Sequence, residues 1–172
     1  RFKGIMLYSG RVHPDVEGTT RRLERLDAEL ARQLELFRRE GFQVKVVSGG
    51  STPSAYYSHL VETLTEIRPG TYIFNDRNTV EWGACTQDQC AAFLWTTVVS
   101  TAVPGQAIID GGSKTFSGDG LAPGNAAGYG IVTEFPGIEF VRMNEEHGYL
   151  QLPEGLELEV GQQLRVIPNH VC

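Results

Sequence analysis

The first 76 residues alternate between short apolar runs and segments with a helical repeat. Gly4–Tyr8 predicts a buried strand, and Phe42–Val47 predicts a second strand. Between them, Thr19–Glu40 predicts an amphipathic helix that ends at Gly41. Its apolar side chains recur at steps of three and four residues: Leu23, Leu26, Leu30, Leu34 and Phe37. A strand, a helix and a strand in this order are typical of a parallel sheet.

The same alternation continues to residue 76. Ser54–Leu64 predicts a shorter helix. After it, Glu66–Asp76 turns at Pro69-Gly70, and Thr71–Phe74 predicts a third strand. Such a βαβαβ pattern places binding sites at the carboxyl ends of its strands.

Beyond residues 77–85 the helical repeat stops and short β-branched runs, separated by glycines, take its place. We therefore predict two domains: residues 1–83 with βα units, and residues 84–172 as a small all-β domain without a long helix between Val98 and Ile167. The strands expected in the second part are Phe93–Val103, Gln106–Ile109, Tyr129–Glu134, Ile138–Met143, Gly148–Leu152 and Leu164–Ile167.

Charge and cysteine content limit the functional classes. The 172 residues carry 15 basic and 21 acidic side chains, a net charge of −6 without a basic stripe. This balance argues against nucleic acid and anionic membranes as partners. Nothing resembles a membrane span or the apolar core of a signal peptide, and three cysteines suit a reducing compartment. We expect a cytoplasmic protein, and its ends inside apolar runs suggest a piece of a longer one.

The glycine turn, Ser48–Thr52, follows the second predicted strand and precedes a helix that Pro53 begins. Glycines let the backbone approach a ligand, and the amides and dipole of a following helix favour an anion. Ser51 and Thr52 add hydroxyl donors. The pattern is neither a P-loop nor a GxGxxG fingerprint, and a plain strand-to-helix turn is the alternative interpretation.

His170 and Cys172 form a candidate metal site. If Leu164–Cys172 is extended, residues two apart lie on one face of the strand. Imidazole and thiolate are ligands that zinc prefers, and two protein ligands leave positions open for water or substrate. The alternative is an ordinary histidine and a buried cysteine near a terminus.

Other polar residues carry weaker signals. Glu145-Glu146-His147-Gly148 is either a turn between strands or a cluster that supports a site. His13 and His59 are expected at the surface, and Lys114, after a glycine turn, is expected to be structural. The chain has no GxSxG elbow and no HExxH pair.

Taken together, these segments resemble the metal-activated pyridoxal-phosphate enzymes that include D-threonine aldolase and eukaryotic-type D-serine dehydratase. The resemblance implies the alanine-racemase-like fold, in which a (β/α)8 barrel is followed by a β domain. The chain would then contain the last βα units of the barrel and the β domain. The matching stretches span nearly the whole chain: Gly4–Tyr8 with Ser9-Gly10, Ser48–Ser54, Glu66–Asp76, Asp110–Asp119, Glu145–Gly148 and Pro168–Cys172.

The resemblance also implies roles for individual residues. His170 and Cys172 would bind zinc, and Tyr8 would lie near the cofactor ring as a candidate for ring contact or proton handling. The residues implied for the phosphate of pyridoxal 5'-phosphate are Gly49, Gly50, Ser51, Thr52, Gly70, Thr71 and Tyr72. The lysine that holds the cofactor in this family has no counterpart here, so the N-terminal half of the barrel would be a missing partner.

The implied function is part of a zinc-dependent lyase for D-β-hydroxy amino acids. His-x-Cys favours a D-serine dehydratase, which forms pyruvate and ammonia, because aldolase-type members carry His-x-Asp. A D-threonine aldolase-type lyase or an amino-acid racemase is the first alternative. The second alternative is a non-catalytic module that binds a phosphate ligand or a partner protein. A homodimer is expected from the same resemblance.

Overall fold

The computed structural model describes residues 2–8, 16–121 and 128–171. Its contacts divide the chain into two units. The first unit comprises residues 1–72 and 82–84, and the second comprises residues 73–81 and 85–172. The segment 73–81 therefore belongs to the second unit, although it precedes the last residues of the first.

The first unit is built on a three-stranded parallel sheet. Its strands are β1 (Gly4–Met6), β2 (Val46–Gly49) and β3 (Glu66–Ile67), in the order β1-β2-β3. The helix α1 (Val16–Arg39) connects β1 with β2, and a 3-10 helix, Thr52–Leu60, connects β2 with β3. This arrangement confirms the predicted parallel sheet.

The apolar stripe of α1 packs into the core of this unit. Leu23 and Leu30 are buried together with Val61, and Leu26 packs against them. The helix ends before Gly41, whose φ of +79° is the left-handed conformation typical of a glycine after a helix. The predicted amphipathic helix is confirmed, with its start moved to Val16.

Several predicted boundaries in the first unit are wrong. The strand predicted over Gly4–Tyr8 ends at Met6 and is only partly buried, since Met6 exposes 70% of its surface. The strand predicted from Phe42 begins at Val46, because its parallel pairing with β1 starts there. Thr71–Ile73 is a 3-10 helix instead of a strand, and the third strand lies before Pro69, which has no N–H to extend the ladder.

The helix predicted over Ser54–Leu64 is a 3-10 helix that ends at Leu60. The Ser58 hydroxyl donates to the carbonyl oxygen of Ser54 at 3.1 Å. An α-helix would pair that carbonyl with the Ser58 amide. A hydroxyl that takes its place favours the tighter turn.

The second unit is a six-stranded antiparallel sheet that nearly closes into a barrel. The strand order is β6-β9-β4-β5-β8-β7, and the Tyr129 amide donates to Phe140 O at 3.0 Å beside the two end strands. The strands are β4 (Leu94–Ser100), β5 (Gln106–Ile109), β6 (Gly130–Val132), β7 (Glu139–Met143), β8 (Gly148–Gln151) and β9 (Gln163–Pro168). The short helix α2 (Arg77–Glu81) and a 3-10 helix, Gln87–Gln89, precede them.

One apolar core fills this second unit. Its most buried members come from all six strands and from the loop that carries Phe116: Val98, Ala107, Ile109, Phe116, Val132, Phe140, Leu150, Leu164 and Val166. The rings of Phe116 and Phe140 meet edge to face, with centroids 5.1 Å apart. The predicted change from βα units to an all-β fold is therefore confirmed.

The helices are short apart from α1, which has 24 residues. Over residues 98–121 and 128–167, the described parts of the predicted helix-free region, no helix occurs. Within residues 2–8, 16–121 and 128–171, no helix combines the length and the apolar character needed to cross a bilayer.

Replacing Ile109 by valine should destabilise the protein by about 1 kcal/mol, because one methylene leaves a fully buried site. Gln106→Ala on the same strand is the control, since the Gln106 side chain is exposed and its removal should change stability by less than ~0.5 kcal/mol. Urea unfolding checks both values. Equal stability of the two variants would contradict the described core.

Candidate functional site

The glycine turn depends on its glycines for two different reasons. Gly50 has a φ of +79°, a backbone angle that residues other than glycine rarely adopt. A Cβ at Gly49 would lie 3.0 Å from Leu7 Cγ and 3.1 Å from Leu64 Cδ2. The turn therefore has both a left-handed residue and a close approach of backbone to side chains.

A hydrogen bond joins the glycine turn to the second stretch implied for phosphate binding. The Tyr72 amide donates to Thr52 Oγ1 at 3.1 Å. Gly70, two residues earlier, has room around it, since a Cβ there would meet no described atom within 4 Å. The structure thus brings Thr52 and the segment Gly70–Tyr72 together.

Two amides of these stretches already donate to hydroxyl groups. The Ser51 amide donates to Ser54 Oγ at 3.0 Å, and the Tyr72 amide donates to Thr52 as described above. The hydroxyls of Ser51 and Ser54 lie 3.3 Å apart. The Ser54 amide is engaged as well, by Ser51 O at 3.1 Å, and Pro53 has no N–H, so an anion here would require these hydroxyls to reorient.

Arg68 is a cation beside the glycine turn that the sequence analysis missed. Its Nε donates to Ser48 Oγ, and its amide donates to Gly49 O at 2.9 Å. The guanidinium also contacts Glu66 at 3.3 Å, with 55% of the Arg68 side chain exposed. Its position directly after β3 could have identified it from the sequence, because binding residues commonly lie at the carboxyl ends of parallel strands.

Tyr8 lies two residues after the end of β1 and exposes 76% of its surface. Ser9 and Gly10, which extend the matching stretch, lie outside the described residues, as does His13. The role of Tyr8 near a cofactor ring stays a prediction.

His170 follows β9, which ends at Pro168. The expectation that the chain stays extended through His170 is wrong, because Asn169 bends after the last strand residue. Cys172 lies outside the described residues, so the geometry of the two predicted ligands stays a prediction.

A buried carboxylate lies against His170. Asp76 Oδ2 is 3.4 Å from His170 Nδ1, and Asp76 has no exposed surface. The same Oδ2 accepts a hydrogen bond from the Val171 amide at 3.2 Å. Asp76 precedes α2 and caps it through the Thr79 amide. The cap signature Asp-x-x-Thr is the sequence feature that could have drawn attention to Asp76.

A cavity of about 410 Å³ adjoins His170. Phe93 and Phe116 form apolar parts of its wall, and Thr115 and Ser117 add hydroxyl groups. The volume suits a small molecule. His170 thus has a buried carboxylate on one side and a cavity lined by apolar and hydroxyl side chains nearby.

Cys90 does not suit the role of a metal ligand. Burial raises the pKa of the Cys90 thiol to about 12, with further contributions from Cys85, Asp76 and Asp88. A thiol with such a pKa stays protonated near neutral pH, and metals bind the thiolate. Across residues 2–8, 16–121 and 128–171, no three His, Cys, Asp or Glu side chains are grouped to hold an ion.

The polar segment Glu145–Gly148 is a turn between β7 and β8. The amides of Glu146 and His147 donate to Asn144 Oδ1 at 2.9 and 2.7 Å. Lys114 pairs with Glu146 at 2.5 Å on the exposed surface, and this hydrogen bond raises the pKa of Lys114. Lys114 thus forms a surface ion pair, and His59 is exposed as predicted.

Comparison with protein families matches residues 91–172 to the family described as "Putative serine dehydratase domain". The chain is 31% identical to D-threo-3-hydroxyaspartate dehydratase from Delftia sp. (strain HT23), over 100% of the chain and 50% of that enzyme. It is 27% identical to D-threonine aldolase from Arthrobacter sp., over 99% of the chain and 44% of that enzyme. The chain thus spans about half the length of these curated relatives and corresponds to their C-terminal portion.

Solved structures agree with the sequence matches. The Delftia dehydratase superposes with a TM-score of 0.80 at 29% identity, covering 99% of this chain and 49% of that one. An alanine racemase-like protein from Idiomarina loihiensis gives a TM-score of 0.84 at 24% identity, covering 98% and 49%, and supports the fold. Two further structures are variants of a D-threo-3-hydroxyaspartate dehydratase. One replaces a histidine by alanine, and the other, in the metal-free form, replaces a cysteine two positions later.

Proposed function

The chain belongs to the D-serine dehydratase-like family with the alanine racemase-like fold, and on this premise we propose that it forms the C-terminal part of a lyase for D-β-hydroxy amino acids. The lyase would use pyridoxal 5'-phosphate and zinc, and dehydration would be its reaction. The observation that carries the proposal is His170, which contacts a buried carboxylate and lines a cavity of about 410 Å³.

The residues around His170 fit a zinc ion. Because Nδ1 lies against Asp76, the other ring nitrogen, Nε2, is the one left for a metal. Cys172 would add a thiolate, and the pair selects zinc over magnesium or manganese. The histidine and cysteine replaced in the D-threo-3-hydroxyaspartate dehydratase variants have the same spacing, which supports this assignment.

The glycine turn fits the cofactor phosphate. The left-handed Gly50 opens the backbone, and Arg68 contributes positive charge through its contact with Ser48. Thr52 links this turn to Gly70–Tyr72, so both stretches can contact one anion. We propose that Gly49, Gly50, Ser51, Thr52, Gly70, Thr71 and Tyr72 hold the phosphate.

The two groups divide the chemistry. When bound, pyridoxal phosphate supplies an electron sink, and zinc supplies a Lewis acid for the departing β-hydroxyl. His170 and Cys172 would hold the zinc, and Thr115 and Ser117, which line the cavity next to His170, would provide hydroxyl groups for a polar substrate. Phe93 and Phe116 would form an apolar wall for the same substrate. Tyr8 is proposed for ring contact or proton handling.

An aldolase is the second candidate, because D-threonine aldolase and two 3-hydroxy-D-aspartate aldolases are also relatives. The cysteine in His-x-Cys favours dehydration instead. Among dehydratase substrates, D-serine and D-threo-3-hydroxyaspartate share the β-hydroxyl that the zinc would engage, and we propose D-serine first.

Product analysis of the full-length protein tests this proposal. We expect ammonia and pyruvate from D-serine, with a visible absorption band of bound pyridoxal phosphate. If the protein forms oxaloacetate from D-threo-3-hydroxyaspartate but no pyruvate from D-serine, the proposed reaction is right and the proposed substrate is wrong. Glycine with an aldehyde would identify an aldolase, and an inverted substrate a racemase. A protein without the absorption band and without turnover would favour a non-catalytic phosphate-binding or partner-binding module.

A further inference from the structure

We propose that Asp76 is the positioning residue of His170, holding the imidazole so that Nε2 is presented to the metal. The inference rests on the proposed function, because it assigns His170 as a metal ligand. Its geometric basis is the 3.4 Å distance between Asp76 Oδ2 and His170 Nδ1. A carboxylate this close to Nδ1 favours the tautomer with the proton on that nitrogen, which leaves Nε2 as the nitrogen that can bind a metal.

Asp76 is itself held rigidly. Its Oδ1 accepts a hydrogen bond from the Thr79 amide at 2.9 Å, and its own amide donates to Thr79 Oγ1 at 2.8 Å. The Thr79 hydroxyl donates to Asp76 O at 2.7 Å. Both residues are at most 1% exposed. Three hydrogen bonds with Thr79, one of them to Oδ1, fix Asp76, so its Oδ2 can define the orientation of a ring.

The backbone on both sides of His170 is fixed by the same segment of chain. The amide and the side-chain Nδ2 of Asn78 donate to Asn169 O at 3.2 and 2.7 Å. After His170, the Val171 amide donates to Asp76 Oδ2 at 3.2 Å. Asn78 thus positions only the backbone, whereas Asp76 contacts both the backbone and the imidazole. This difference makes the two residues a matched pair for mutagenesis.

A simpler role for Asp76 is to cap α2 and nothing else. Asparagine is as good a helix cap as aspartate and has nearly the same volume. Asp76→Asn therefore keeps the cap while it replaces the carboxylate oxygen that faces His170 and the Val171 amide. If Asp76 serves only α2, this substitution should leave metal affinity unchanged.

The experiment measures zinc affinity of the full-length protein by competition with a chelator, and follows Co²⁺ binding by its absorption. We expect Asp76→Asn to weaken Zn²⁺ binding by about 10-fold to 100-fold and to change the Co²⁺ spectrum. The control Asn78→Ala should lower the melting temperature while weakening Zn²⁺ binding by less than ~5-fold, since its effect on the ring is indirect. Unchanged Zn²⁺ affinity in a folded Asp76→Asn protein would overturn the inference.

Two further measurements keep the outcomes separate. His170→Ala should abolish zinc binding; if it does not, the proposed metal site itself is wrong. If His170→Ala loses zinc and Asp76→Asn retains it, only the role of Asp76 fails. Should Asp76→Asn not fold, ¹⁵N NMR of the metal-free wild-type protein decides. We expect the proton of His170 on Nδ1, and a proton on Nε2 would contradict the inference.

Discussion

Replacing Cys172 by alanine is expected to remove the metal and to lower D-serine turnover about a thousandfold. Lewis-acid stabilisation of a departing oxygen is worth several kcal/mol, and each ~1.4 kcal/mol corresponds to a factor of ten. The visible absorption of the cofactor should remain, because the proposed phosphate site lies in other segments of the chain. Metal analysis and turnover before and after chelation measure the effect.

Cys85→Ala is the matched control for this substitution. Cys85 is half-buried, and its thiol donates to Thr79 Oγ1 at 3.4 Å. Its removal should leave zinc content and turnover within about twofold of the wild type, since Cys85 has no place in the proposed metal site. Full D-serine turnover by chelated, metal-free protein would show that His170 and Cys172 do not hold a metal that the reaction needs.

Gly50→Val is expected to weaken pyridoxal-phosphate binding by about 100-fold. Valine is strained at a φ of +79°, and relief of this strain would move the backbone of the glycine turn away from the phosphate. The atoms nearest to a Cβ at this position are 3.7 Å away, so steric overlap adds little. Cofactor titration, followed by the visible absorption band, gives the affinity.

Gly41→Val controls for the strain alone. Gly41 has the same φ of +79°, and a Cβ there would meet no described atom within 4 Å. It follows α1 and has no proposed contact with the cofactor, so this variant should lose stability while cofactor affinity stays within about twofold. Equal cofactor affinity of the Gly50→Val protein and the wild type would rule out the glycine turn as the phosphate site.

Sequence patterns predicted the elements whose cause is local. The stripe from Leu23 to Phe37 specifies one face of α1, because a helix repeats every 3.6 residues. The glycine turn was recognised because only glycine accepts the φ of Gly50 without strain. The all-β unit was predicted from β-branched runs such as the one that became β4.

The errors and omissions have non-local causes. Thr71–Ile73 has strand-forming residues, but Pro69 ends the ladder before them and the chain turns into a 3-10 helix. Asp76 becomes buried through partners 94 and 95 positions later, His170 and Val171, which no local pattern reveals. The contact of Arg68 with Ser48 could not be predicted locally either, because it forms only when β3 pairs with β2.

The unit that holds His170 starts at Ile73, is interrupted by residues 82–84, and resumes at Cys85. The family match begins only at residue 91. A gene cut at residue 84 or 91 would therefore encode the barrel strands without Asp76, without Arg77 and its hydrogen bond to Gly130 O, and without Asn78. A β domain produced without residues 73–81 would therefore lose the side chains that contact Gly130, Asn169 and His170.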